Sequence, residues 1–144
     1  MIALTDKLQN LPKPNIINLA ECKDRRSWTE SEFSRHGLDD IKVHLYDRYE
    51  EGKSIPFAGD PDLIAQTTKG VTSSHLLTIK WWLENTDEEY GIFFEDDLDY
   101  EPLQYWNFTL KEYIDKCNQW EWGALQMCNV FEYPYDYKNE YIPF

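Results

Sequence analysis

The sequence predicts an α/β sandwich with a largely parallel sheet, and three observations carry that expectation. Short apolar runs of strand length alternate with segments of helical periodicity. A chain of 144 residues with 42% apolar and 16% aromatic composition is globular and fits one domain, residues 1–144, with a core of its own. Polar segments follow each of the first strands, and in parallel sheets ligands gather at the carboxyl ends of the strands.

The elements follow in order. "NIINLA", residues 15–20, reads as a short buried strand, and "ECKDRR" after it as a polar loop. Ser27-Trp28-Thr29-Glu30 has the spacing of a capping box, which predicts a helix ending near His36 with Gly37 as its stop. "IKVHLYD", residues 41–47, alternates Ile41, Val43 and Leu45 against Lys42, His44 and Tyr46, a strand pattern. Residues from about 48 to 68 read as a long loop. A helix then runs from near Thr72 to Asn85, with Val71, His75, Leu76, Ile79, Trp82 and Leu83 as its apolar stripe. A strand over residues 90–94, a helix over 103–117 and a last strand over 122–130 complete the reading.

Composition excludes some classes. A net charge of −13 argues against a nucleic-acid partner, because phosphate backbones are held by clustered Lys and Arg. The three cysteines, Cys22, Cys117 and Cys128, form no C-x-x-C pair, so a reducing, cytoplasmic setting is expected. No segment has the roughly 20 apolar residues of a membrane span.

Chemistry concentrates at Glu95-Asp96-Asp97-Leu98-Asp99, where four carboxylates within five positions follow the apolar strand. Like charges so close cost free energy unless a cation or a hydrogen-bond network offsets them. In an extended segment Glu95 and Asp97 point one way and Asp96 the other, with Asp97 and Asp99 a second pair. Either pair suits Mn²⁺ or Mg²⁺ bridging a diphosphate, and a solvated acidic turn is the plain alternative. Arg25 and Arg26 are candidate phosphate ligands or an exposed charge pair. Lys69 and Gly70, before an expected helix start, are candidates for approach to an anion, and Ser74 for a cap. His75 reads more simply as a core histidine satisfied by a backbone carbonyl than as a ligand.

Three motifs in order resemble glycosyltransferase family 25, the lipooligosaccharide and procollagen galactosyltransferase type. Asn18-Leu19 followed by Asp24-Arg25-Arg26 resembles its opening strand and acidic-basic segment, and Gly70-Val71-Thr72-Ser73-Ser74-His75 its glycine turn and "SH". Phe93-Phe94-Glu95-Asp96-Asp97 resembles its apolar strand ending in E-D-D. The resemblance implies a GT-A-like, Rossmann-like three-layer fold and a nucleotide-sugar donor, commonly a UDP-sugar. It also implies Mn²⁺ or Mg²⁺ on Asp97 with Glu95 or Asp99, and an acceptor such as lipooligosaccharide or protein. By the same resemblance Asn18, Leu19 and Arg26 line the nucleotide, Asp96 faces the ribose, and Arg25, Gly70, Ser74 and His75 complete the donor site. The chain is shorter than that family's catalytic domain, so the expectation is its nucleotide-sugar-binding part, truncated or minimal. A non-catalytic acidic interaction module on the same fold, and a different metal-dependent phosphotransfer or hydrolase enzyme, are the rivals.

Overall fold

The structure, a computed structural model, describes residues 4–50, 65–98, 101–120 and 122–124. Among them the order is a short 3-10 helix Leu4–Asp6, β1 (Asn15–Leu19), α1 (Lys23–Arg35), β2 (Lys42–Tyr46) and α2 (Gln66–Asn85). Then come β3 (Phe93–Glu95), a 3-10 helix Glu101–Tyr105 and α3 (Leu110–Cys117). The strands form one parallel sheet in the order β2-β1-β3, with Ile16 level with Val43 and Phe94, and Ile17 with His44 and Glu95. The mixed α/β class is as expected. No described helix is long and apolar enough to cross a membrane.

Strand alternation puts the two crossover helices on opposite faces. Phe94 meets Phe33 of α1 edge to face at 5.3 Å, while its neighbour Phe93 meets Trp82 of α2 at 6.1 Å. The α1 face is apolar: Leu8, Ile16, Phe33, Leu103, Leu110 and Ile114 form the buried core, and the segment from Leu103 through α3 packs there. Phe33 is fully buried, and removing such a side chain from water stabilises by about 1.5–3 kcal/mol.

The α2 face is polar. The expected stripe on this helix does not hold: Val71, Leu76 and Leu83 are exposed, and the buried positions are Lys69, Ser73, Ser74 and Thr78. Small hydroxyl residues let the helix approach the sheet closely and satisfy themselves locally. Ser74 Oγ donates to the Val71 carbonyl at 2.8 Å, and Thr78 Oγ1 to the Ser74 carbonyl at 2.8 Å. Thr78 then accepts from the Tyr46 hydroxyl at 2.8 Å. His44 is buried between Trp81, at 4.7 Å between ring centroids, and Asn15, whose Oδ1 is 2.9 Å from its Nε2.

Other boundaries also moved. α1 begins at Lys23 with Cys22 as its N-cap, so Ser27 lies inside the helix and its spacing to Glu30 caps nothing. No glycine or proline interrupts residues 22–35, and Asp24 in the first turn suits the helix dipole. The capping box is used instead by α3, where Glu112 N–H donates to Thr109 Oγ1 at 3.1 Å and Thr109 N–H to Glu112 Oε2 at 2.8 Å. That box splits the expected 103–117 helix, because its N-cap is extended. α2 begins at Gln66 rather than near Thr72. Residues 122–124 are not in a strand, and 125–130, like most of the expected 48–68 loop, lie outside the described residues.

Gly37 ends α1 as expected. At φ +75° it lets Leu38 N–H reach the Phe33 carbonyl at 2.9 Å and Gly37 N–H reach Ser34 at 2.9 Å, a Schellman stop. Gly37→Ala is expected to lose about 1 kcal/mol of stability in urea unfolding, from the left-handed backbone alone. A second expectation concerns pH. Burial, and after it the Lys42 cation, hold the His44 imidazole below its ordinary 6.5. The unfolded chain therefore takes up the proton first, so this stabilisation is complete above about pH 6.5 and declines as pH falls toward the depressed folded value. Thermal melting of His44→Gln should show a flatter pH dependence below pH 6.5 than the parent chain.

Candidate functional site

The crossovers run in opposite directions from the central strand. β1 leads through α1 to β2 on one side, and β2 leads through α2 past β1 to β3 on the other. The switch point lies between the carboxyl ends of β1 and β3, where such sheets open a crevice. The last paired residues are Ile17 and Glu95, and the side chains of the next residues, Asn18 and Asp96, meet beyond them.

These two residues meet in the interior, Asn18 at 1% and Asp96 at 4% exposure. Asn18 Nδ2 donates to Asp96 Oδ2 and, at 3.3 Å, to the Cys22 carbonyl. Asn18 Oδ1 accepts from Arg26 Nη1 at 3.2 Å. Arg25 Nη2 pairs with Asp96 Oδ1 at 3.2 Å, and its Nη1 is 3.7 Å from Asp97 Oδ2. Thr29 Oγ1, one helical turn beyond Arg25, donates to the Asp96 carbonyl at 2.8 Å. Burial lowers the Arg25 guanidinium's proton affinity, but Asp96, with Cys22 and Asp97, outweighs it and holds the pKa above its ordinary value.

The acidic residues are thus sorted by partner. The strand ends at Glu95 and the chain turns at Asp96 and Asp97; Asp96 still lies opposite Glu95, as expected, but Asp97 does not return to the Glu95 side. Glu95 faces α2, with Oε1 3.2 Å from His75 Nε2. That hydrogen bond first, then the charges of His75 and Arg25, hold the Glu95 carboxyl below its ordinary range against burial, which raises it. Asp96 and Asp97 instead share Arg25 on the α1 side. His75 therefore has a carboxylate partner in place of the expected backbone carbonyl. Asp99 lies outside the described residues.

The α2 residues stand differently from their expected places. Lys69 N–H bonds the Ala65 carbonyl at 3.1 Å within the helix, and Gly70 lies in the next position facing Tyr49, so neither offers a helix N-terminus to an anion. Ser74 is likewise too deep in α2 to cap it. Leu19 is half-buried at the end of β1. Thr29 escaped the sequence reading; its spacing of four from Arg25, on the α1 side facing β3, was the available signal.

The divalent ion implied by the resemblance is a poor fit to these residues. Among the described residues no three His, Cys, Asp or Glu side chains are gathered as a ligand set. Both oxygens of Asp96 are taken, Glu95 is turned to His75, and Asp97 stands beside a guanidinium. Comparison with family models, curated proteins and solved structures finds no match to this chain.

Asp96→Ala removes one partner from Asn18 and Arg25 while leaving a buried amide short of a bond. It is expected to lower stability by about 1–3 kcal/mol in urea unfolding. Thr29→Val, which strips a single hydroxyl from the same carbonyl, should cost less, about 1 kcal/mol.

Proposed function

We propose that the chain is the nucleotide-sugar-binding core of a glycosyltransferase, with a GT-A-like arrangement and a UDP-sugar as donor. The observation that supports this reading is the meeting of Asn18, Arg25 and Arg26 with Asp96 and Asp97 at the switch point of a parallel sheet. The carboxyl end of a parallel sheet at its switch point, edged by two guanidinium groups with fixed partners, suits a diphosphate. The motif order described above supplies the sugar.

In this reading the acceptor's hydroxyl oxygen forms a bond to the anomeric carbon while the bond from that carbon to the diphosphate oxygen breaks. The electron pair leaves with the diphosphate, and the hydroxyl proton passes to a base or to water. Arg25 and Arg26 stabilise the charge that grows on the departing oxygens, an interaction stronger in the transition state than in the bound donor. The acceptor, lipooligosaccharide or protein, comes from the resemblance alone.

A non-catalytic interaction module is the second reading, favoured by one observation: Asp96, Asn18, Arg25 and Thr29 satisfy one another without any ligand. Calorimetric titration with UDP, ADP and GDP, run both with and without Mn²⁺, separates the two. The transferase reading expects UDP to bind, and Arg26→Ala to weaken it by about tenfold or more, the scale of one charge-assisted hydrogen bond. Absence of binding to every nucleotide under both conditions would leave the interaction module.

A further inference from the structure

We propose that the Arg25 guanidinium takes the place of a divalent ion at this site, so that the chain binds its donor diphosphate without metal. The inference rests on the donor-site reading above and concerns which cation serves it. A metal-dependent site places a cation between protein carboxylates and the diphosphate, where it offsets both sets of negative charge. Arg25 already holds that place on the protein side, reaching Asp96 at 3.2 Å and Asp97 at 3.7 Å with two different nitrogens.

These contacts do not use up the guanidinium's donors. It carries five N–H donors in a rigid fork, and the two carboxylates engage one edge of it. Its side chain is 44% exposed and also hydrogen-bonds Cys22, whereas that of Asp96 is 6% exposed, so the guanidinium is open to solvent while the carboxylate it pairs with is interior. Arg26, anchored on Asn18 Oδ1, adds a second positive charge from the same turn of α1. Two carboxylates, Asp96 and Asp97, are thereby balanced by two guanidinium groups.

The carboxylates also lack the freedom a metal would need. Asp96 is fixed through three atoms: Oδ1 to Arg25, Oδ2 to Asn18 and its carbonyl to Thr29. Recruiting it to a metal would break the Asn18 bond that joins β1 to the end of β3. Glu95 belongs to the opposite face, with His75. Among the described residues, an ion entering here would have to displace Arg25 from Asp97 to find an exposed carboxylate.

The test titrates UDP and inorganic pyrophosphate into the full chain, once in EDTA and once in excess Mn²⁺, at one ionic strength. Equal affinity in the two, within about twofold, is the expected result. Arg25→Ala should then lose about tenfold or more of the metal-free affinity. The same variant should gain Mn²⁺ binding, read by the manganese paramagnetic resonance signal, because Asp97 is released. Arg25→Lys keeps the charge without the fork and should retain part of the metal-free affinity; it serves if the alanine variant does not fold. Binding of UDP only in Mn²⁺ overturns the role of Arg25 and leaves the transferase reading standing. Failure of UDP and pyrophosphate to bind in either condition overturns both.

Discussion

The hydrogen bond from the Asn18 amide to the Asp96 carboxylate joins residues 78 apart in sequence, and the rest of the molecule is arranged so that it can form. A carboxylate at 4% exposure costs several kcal/mol unless it is paired and hydrogen-bonded. Two separate elements supply the pairing: β1 through Asn18, and α1 through Arg25 and Thr29, close on the turn after β3 that carries Asp96. That requires α1 to start immediately after β1. The Cys22 N–H therefore bonds the Leu19 carbonyl at 2.8 Å, and Cys22 returns a carbonyl to the Asn18 amide. Such buried networks add little net stability over an apolar core, yet they specify one register, since a slip of a single residue would strand the charge.

The two faces of the sheet are stabilised by different physics. On the α1 side, Ile16, Phe33, Leu110 and Ile114 exclude water, and the stabilisation scales with apolar area. On the α2 side, hydroxyl, amide and imidazole groups meet at the sheet and are satisfied pairwise, through Asn15 with His44 and Tyr46 with Thr78. Each such pair contributes about 1 kcal/mol net, with a penalty if one partner is lost. Glu95 and His75 belong to this second face, whereas Asp96, Asp97 and Arg25 belong to the first. The acidic tip is divided between a rigid apolar layer and a polar, directional one.

What was legible in the chain follows from that division. β1 and β2 were readable as strands from an apolar run and a period of two, although in β2 His44 is buried and Leu45 exposed, the reverse of the expected apolar alternation. The α2 stripe was misread because periodicity identifies apolar positions, and this helix buries Ser73, Ser74 and Thr78 while leaving Leu76 and Leu83 exposed. The capping signal at Ser27 failed for a different reason: Thr109 and Glu112 carry the same spacing, and only tertiary context decides which pair caps a helix. Convergence of the Asn18–Arg26 segment with the acidic tip was anticipated from the carboxyl-end rule of parallel sheets. The opposite sides of Glu95 and Asp96 were expected too, but Asp97 was expected with Glu95 and stands with Asp96, because the backbone turns there.

Charge acts at two ranges in this molecule, and they oppose each other. The overall −13 repels a diphosphate at distances beyond the Debye length of about 8 Å only weakly, because salt screens it, but it does not attract one either. In the donor-site reading proposed above, attraction comes from groups within a few ångströms, and the first turn of α1 carries Lys23, Arg25 and Arg26 with Asp24 among them. Asp96 and Asp97 would cancel that cluster if they stood in solvent with it. Burying Asp96 beneath Arg25 converts one of the two from a competing surface charge into the support that aims the guanidinium outward. An acidic protein thereby keeps a cationic edge at the mouth of its sheet, and the carboxylates that first suggested a metal become the reason an arginine is held there.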